Sequence, residues 1–322
     1  MGESIRLLHE VALDMVLNLL APQHRSKSAV EKRLYSLRAG IAGERKVLQY
    51  LFNLGLPAEI LWDVNLRLAP GHYLQIDVLV LTPFHAIIYE AKNMADRLRF
   101  ESGPSRLDKL DSEGRLIASY ECPMLQLQEE MANLRKWFDD HKIACAVDGA
   151  VIMTGSAMLE KPPASGKLFR IRQIRNHISG DYYGDGGRTR QEIVALAEYI
   201  RTRNEPYFPF PLLEIIGIAV MDLLWTPVCE KCWRRLERVS ERRWRCQCNW
   251  ETTDPYTRTL ERWFLLRSSS ITNEQVRELF GISQTAAANL LSKYPLQKVG
   301  QGKATRYIWD YKGRLKRIKK WK

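Results

Sequence analysis

The sequence predicts an α/β unit built on a mixed sheet flanked by helices, followed by a small cysteine-bearing ribbon and a C-terminal unit of winged-helix type. Three observations lead there. Hydrophobic periodicity runs helix, strand, strand, helix, strand between residues 39 and 154. Four cysteines close up as two tight pairs between residues 229 and 248, and the end of the chain reads helix, glycine turn, helix, hairpin. At 322 residues the chain has room for two or three compact units. Hydrophobic residues at 45% and charged residues at 27% exclude a largely disordered polypeptide.

Residues 3–38 carry Leu8, Val11, Ala12, Met15 and Leu19 near helical spacing, with a break at Pro22. They predict a helical leader over 1–38, packed on another element or folded as a hairpin. A second helix is expected from Ala39 to about Leu56, with Val47, Leu48 and Leu51 on its apolar side. The period then changes to two: Tyr73–Leu81 reads as a strand, residues 82–85 as a turn, and Ala86–Lys92 as a second strand. Pro123 opens a helix to His141 whose apolar run is Leu125, Met131, Leu134, Trp137 and Phe138, and Ala146–Thr154 supplies another strand. A connector follows over 155–225, partly packed on the 39–154 unit. In it Gly180–Gly187 lacks the Gly-Lys-Ser/Thr ending of a phosphate loop and reads as an ordinary loop, and Arg190–Arg203 reads as a helix.

Asp77 interrupts the apolar strand Ile76–Leu81, and Glu90-Ala91-Lys92 closes the next strand. Side chains alternate along a strand, so Glu90 and Lys92 project from one face, and pairing across the short turn brings Asp77 toward Glu90. Two carboxylates and an ammonium among apolar strands are costly unless something compensates them. Hard oxygen ligands suit Mg²⁺ or Mn²⁺, which predicts a metal held by Asp77 and Glu90, with Lys92 steadying charge at a phosphate. The plainer alternative is a structural Glu–Lys pair on an edge strand beside a lone buried aspartate. His72 and His85 flank the strands without a second ligand at matched spacing and read as surface residues.

Four stretches in order, Gly43-Glu44, Gln75-Ile76-Asp77, Glu90-Ala91-Lys92-Asn93 and Pro123-Met124-Leu125-Gln126, resemble the NERD (nuclease-related) domain, a branch of the PD-(D/E)XK phosphodiesterase superfamily. The resemblance covers about residues 39–154. It implies a PD-(D/E)XK-like sheet and an active centre of Glu44, Asp77, Glu90 and Lys92, with Gln126 as an accessory polar residue near a helix N-terminus. It implies competence for cleavage and leaves open a member that has lost it.

Cys229-x2-Cys232 and Cys246-x-Cys248 are separated by thirteen residues. Paired thiolates at such spacing predict a zinc ribbon over 226–254, in which Zn²⁺ supplies folding free energy that about thirty residues cannot. Trp233, Trp244 and Trp250 lie among arginines there, an arrangement suited either to stacking on bases or to a small ribbon tucking its tryptophans under. Cys122 and Cys145 read as buried thiols.

Over 255–322, helices are expected at Tyr256–Leu266, Asn273–Phe280 and Gln284–Lys293, and a wing hairpin at residues 297–309. Gln284, Thr285 and Asn289 would face a duplex, with Lys303 and Arg306 on the wing and Lys316 and Arg317 in a tail that carries seven Lys or Arg from Lys312 to Lys322. A helical protein-interaction unit is the alternative. Charge supports the first reading: residues 1–225 hold 27 basic against 28 acidic residues, a balance of −1, and residues 226–322 hold 22 against 9, a balance of +13. The longest apolar stretches, Val11–Ala21 and Leu212–Trp225, contain Asp14, Glu214 and Asp222 and fall short of a membrane span, and no signal sequence is recognisable. The reading that joins these parts is a cytoplasmic, metal-dependent nuclease acting on DNA, or RNA, with no membrane partner. In layout it resembles bacterial NERD proteins that append a zinc ribbon and a helix-turn-helix-like end. A non-catalytic DNA-binding regulator on a degenerate nuclease scaffold, and an adaptor between proteins, are the alternatives.

Overall fold

A computed structural model describes residues 2–101, 105–180, 186–240 and 242–309, without the side chains of residues 2–4 and of Lys303. Two compact units divide the chain, one gathering Glu3–Tyr35 with Phe208–Lys322, the other comprising Ser36–Tyr207. The 155–225 stretch contributes to both. Helix α1 spans Gly2–Leu19 and α2 spans Lys27–Leu54. The two helices expected on either side of residue 38 are therefore one. No proline interrupts residues 27–54, and helix formers such as Ala, Leu, Lys, Arg and Glu fill them. Gly43 weakens α2 as a mid-helix glycine does but has a packing reason, since a Cβ there would stand 2.9 Å from Asn93 Cβ and from Thr154 Oγ1.

The Ser36–Tyr207 unit adds β1 (Glu59–Ala69), β2 (His72–Leu81), β3 (His85–Lys92), β4 (Arg97–Glu101), β5 (Arg106–Leu110), β6 (Leu116–Glu121), α3 (Pro123–Asp140), β7 (Ala146–Met153), β8 (Met158–Lys161), β9 (Leu168–Arg170), α4 (Ile174–Ser179) and α5 (Arg190–Arg203). The main sheet runs β1-β2-β3-β7-β9 and is mixed: β1, β2 and β3 are antiparallel neighbours, while β7 lies parallel to both β3 and β9. A second sheet, β6-β5-β4-β8, is inserted between β3 and α3 in the chain. These mixed sheets flanked by helices match a PD-(D/E)XK-like fold.

Helices cover both faces of the main sheet, as a parallel pair at its centre requires. On one face Leu79, Leu81, Ile88 and Val151 pack with Leu127, Leu134, Trp137 and Phe138 of α3 and Ile193 and Ile200 of α5. On the other, Val78, Val80, Ile87 and Tyr89 pack with Val47, Leu48 and Leu51 of α2 and Ile174 and Ile178 of α4. The apolar stripe of α3 follows the sequence reading at Leu134, Trp137 and Phe138 and departs from it in the first turns, where Met124 and Leu127 are buried and Leu125 is exposed.

One irregularity bears on the site. In the β1–β2 ladder Trp62 pairs with Val78 and Val64 with Ile76, but Asp63 and Asp77 between them are not paired. Asp63 has φ of 51°, in the left-handed region. Trp62 and Val78 face α2, whereas Val64 and Ile76 belong to the opposite core, so both strands turn over at this point.

The other unit holds α1, α6 (Leu212–Ile216), β10 (Glu237–Arg238), β11 (Trp244–Arg245), β12 (Glu251–Thr252), α7 (Tyr256–Arg262), β13 (Ser270–Ile271), α8 (Asn273–Phe280), α9 (Gln284–Ser292), β14 (Leu296–Val299) and β15 (Arg306–Trp309). Strands β10-β11-β12 form a small antiparallel sheet around the cysteines, and β13-β15-β14 a second. Thr272 caps α8 by accepting from the Gln275 N–H, Gly281 ends it at φ of 61°, and Ser283 caps α9 by accepting from the Ala286 N–H. Those signals are what made this stretch readable in the sequence.

Candidate active centre and cysteine cluster

Glu90 and Lys92 alternate in step with Ala86 and Ile88, whose side chains face the α3 core, so both point toward α3. Extending the β2–β3 register one position past the Val78–Tyr89 pair sets Asp77 opposite Glu90. The Ala91 N–H donates to Asp77 Oδ2 at 3.1 Å. Lys92 Nζ donates to Glu90 Oε1 at 2.5 Å and to Gln126 Oε1, in the first turn of α3, at 2.9 Å. Gln126 Nε2 in turn donates to Glu130 Oε1, one helical turn on, at 2.9 Å. Glu44 comes from α2, where it accepts from the Trp62 indole N–H at 2.6 Å. The fold thus brings Asp77, Glu90, Lys92 and Gln126 together, with Glu44 close enough to act on Asp77 electrostatically.

The charges do not balance. Glu44, Glu90 and Glu130 are buried and Asp77 is only partly exposed, and Lys92 is the cation placed among them. Burial, then the carboxylates of Glu90 and Glu44, hold the Asp77 carboxyl well above the usual range against the opposing pull of Lys92 and the Ala91 N–H. Burial and then Glu90 push Glu130 up to about 8. For Lys92 burial is the largest influence and works downward, but the carboxylates of Glu90, Asp77 and Glu130 together raise the ammonium. Glu130 Oε2 is buried without a hydrogen-bond partner. An excess of enclosed hard oxygen donors is the chemistry that a small divalent cation compensates, so Asp77 and Glu90 fit Mg²⁺ as a donor set. Glu44 does not complete a compact trio with them: among the described residues, the cysteines below are the one group of three or more metal-ligating side chains whose donor atoms all lie within 4.8 Å of one another.

Cys229, Cys232, Cys246 and Cys248 form that group. Their sulfurs approach to 3.6 Å between Cys229 and Cys248 and 3.3 Å between Cys232 and Cys246. Tetrahedral Zn–S bonds of about 2.3 Å separate sulfurs by roughly 3.8 Å, so the cluster is sized for one zinc-like ion. Left-handed residues close each knuckle, Trp233 at φ of 60° and Asn249 at 64°. Bonding to the Trp250 backbone holds the Cys248 thiol down, to about 7. Trp244 is buried against Cys229, Cys246 and Leu236, with Trp250 packed alongside, so of the two roles open to these tryptophans Trp244 takes the core one. Cys122 is buried and Cys145 half-buried.

Gln284, Thr285 and Asn289 lie exposed on α9 and Arg306 exposed on β15. The side chain of Lys303, and Lys316 and Arg317 with the rest of the 312–322 tail, lie outside the described residues, as does 181–185 of the glycine-rich loop. No helix among the described residues is long and apolar enough to cross a membrane.

Sequence reasoning missed Trp62 and Glu130. The first sits in a strand whose alternation breaks at Asp63. The second had a readable signal, its position four residues after Gln126 on the same helix face.

Comparison with protein families finds the nuclease-related domain (NERD) at residues 39–154, a little over a third of the chain. No curated protein and no solved structure matches the chain.

Proposed function

We propose that the chain is a Mg²⁺-dependent phosphodiesterase acting on DNA, in which a C-terminal zinc ribbon and winged-helix module hold the nucleic acid. The observation that carries this reading is the Lys92 ammonium, fixed between Glu90 and Gln126 beside the raised carboxyl of Asp77, inside a nuclease-related domain. Asp77 and Glu90 would hold the metal, which supplies Lewis-acid polarisation of a phosphate oxygen and a more acidic bound water. Lys92 offers its remaining N–H to the phosphate as negative charge builds in the transition state. Gln126 keeps that ammonium aimed by accepting one of its protons, and Glu44, braced by Trp62, adds negative potential at Asp77 that favours retention of a cation. Four thiolates around a structural zinc suit a cytoplasmic setting, where thiols stay reduced. On α9, Gln284, Thr285 and Asn289 would meet bases or phosphates, with Arg306, Lys303, Lys316 and Arg317 adding phosphate contacts.

Incubation of the purified chain with DNA and Mg²⁺ or Mn²⁺ tests this. Cleavage is expected, abolished by Asp77→Asn and by Lys92→Ala, with DNA affinity largely kept. Tight binding with no cleavage under any divalent metal would assign the chain instead to the non-catalytic DNA-binding class.

A further inference from the structure

Up to residue 225 basic and acidic residues cancel in number, but within the Ser36–Tyr207 unit they do not cancel in space. Many cations of this unit are tied to carboxylates: Arg106 to Asp108, Lys109 to Asp96, Lys167 to Asp148, and Arg190 and Arg201 to Glu59. Lys46, Arg170, Arg172 and Arg175 are exposed and, among the described residues, make no ion pair with a carboxylate.

Lys46 and Arg170 meet on the loop that follows the strand of the candidate centre, and Arg172 and Arg175 come next in the chain. The loop after β7 starts with the Thr154 N–H donating to the carbonyl of Lys92 itself at 3.0 Å. Lys46 Nζ donates to the Thr154 carbonyl at 3.1 Å, and Arg170 donates from Nη1 to the Gly155 carbonyl at 3.0 Å and from Nη2 to that of Ala157. Gly155 permits this loop to pass Met94, where a Cβ would stand 2.0 Å from the Met94 carbonyl oxygen. Arg172 follows two residues after Arg170, its carbonyl accepting from Tyr50 of α2 at 3.2 Å, and Arg175 lies one turn further on α4. Neutral carbonyls position Lys46 and Arg170 without neutralising them, and Arg172 and Arg175 stay uncommitted. Unpaired cations arranged along one rim release counterions when a polyanion lies across them, and guanidinium forks match phosphate oxygens.

We infer that Lys46, Arg170, Arg172 and Arg175 form a phosphate-binding rim that grips the DNA backbone at the end of β3 where Lys92 stands. The nuclease-related unit thereby grips substrate with its own cations, in addition to those of the basic C-terminal segment. The inference rests on the nuclease reading for its ligand, and its test does not need turnover.

In the full chain carrying Asp77→Asn, binding of a short DNA duplex is measured by fluorescence anisotropy over a range of salt concentrations. Arg172→Gln with Arg175→Gln is expected to weaken binding and to flatten the slope of log affinity against log salt by about 1 for each phosphate no longer neutralised. Arg172→Lys with Arg175→Lys keeps the charges and is expected to keep the slope. In the parent background the glutamine pair should raise KM with kcat little changed. A glutamine pair that binds with the parent's affinity and slope overturns the rim, as does an equal weakening in the lysine pair, which would mark a structural role. If the parent cleaves nothing under any metal, the nuclease reading fails while the salt slope still reports on the rim.

Discussion

Trp62 donates its indole N–H to the Glu44 carboxylate at 2.6 Å, joining the strand that turns over at Asp63 to the helix that delivers an acid toward Asp77. A hydrogen bond to a buried charged group is worth about 1.5–3 kcal/mol. Trp62→Phe keeps the ring and removes the donor. It should lower stability by about 2 kcal/mol in chemical denaturation and reduce metal-dependent cleavage, because an unbraced Glu44 adds less negative potential at Asp77. Unchanged cleavage would show that Glu44 needs no brace.

Glu130 gives a pH signature. Its carboxyl is raised to about 8 in the fold from an ordinary value of 4.5, so between those values the native state binds a proton that the unfolded state has released. Stability then falls as pH rises from about 4.5 through 8. Glu130→Gln removes that linkage and keeps an oxygen to accept from Gln126. The variant should gain on the parent between pH 5 and 8, read as a difference in denaturation midpoint that widens with pH. A constant difference would mean that Glu130 is ionised in the fold throughout.

Gly155 is a steric necessity, because the Met94 carbonyl it passes is backbone and cannot swing aside. Gly155→Ala should cost about 3 kcal/mol, on the scale of overpacking. It should also weaken DNA binding by disturbing the carbonyls that hold Arg170. Parent-like stability would show that the loop shifts freely.

The cysteine cluster predicts one zinc per chain by metal analysis. Cys229→Ser, or removal of metal by a chelator, should open residues 227–252 to rapid amide hydrogen exchange, since metal binding supplies on the order of 10 kcal/mol to such sites. Slow exchange in the metal-free chain would show that Leu236 and Trp244 suffice as a core.

How much of this was legible in the sequence depends on how local each signal is. The capped helices α8 and α9, the β14–β15 hairpin and the cysteine knuckles were readable because Thr272, Gly281, Ser283 and the cysteine spacings act within a few residues. Asp77, Glu90 and Lys92 were readable because charged side chains stand out in apolar strands, whereas Glu44 and Gln126 entered only through the resemblance to the nuclease-related domain. Strand β1 was not, since its faces swap at Asp63 and neither half shows enough alternation. The β6-β5-β4-β8 sheet escaped for another reason. Asp108, fully buried beneath Ser119 and Arg106, is a charged core residue that hydropathy counts as surface.

That second sheet separates Lys92 from Gln126 by 34 positions in the chain. Closing so long a loop is entropically unfavourable until α3 settles on the core, so the Lys92–Gln126 bond belongs late in folding. A nascent polypeptide therefore emerges with its acids in place but its ammonium unaimed. The polar cluster of Glu90, Lys92, Gln126 and Glu130 is therefore completed only with a finished domain.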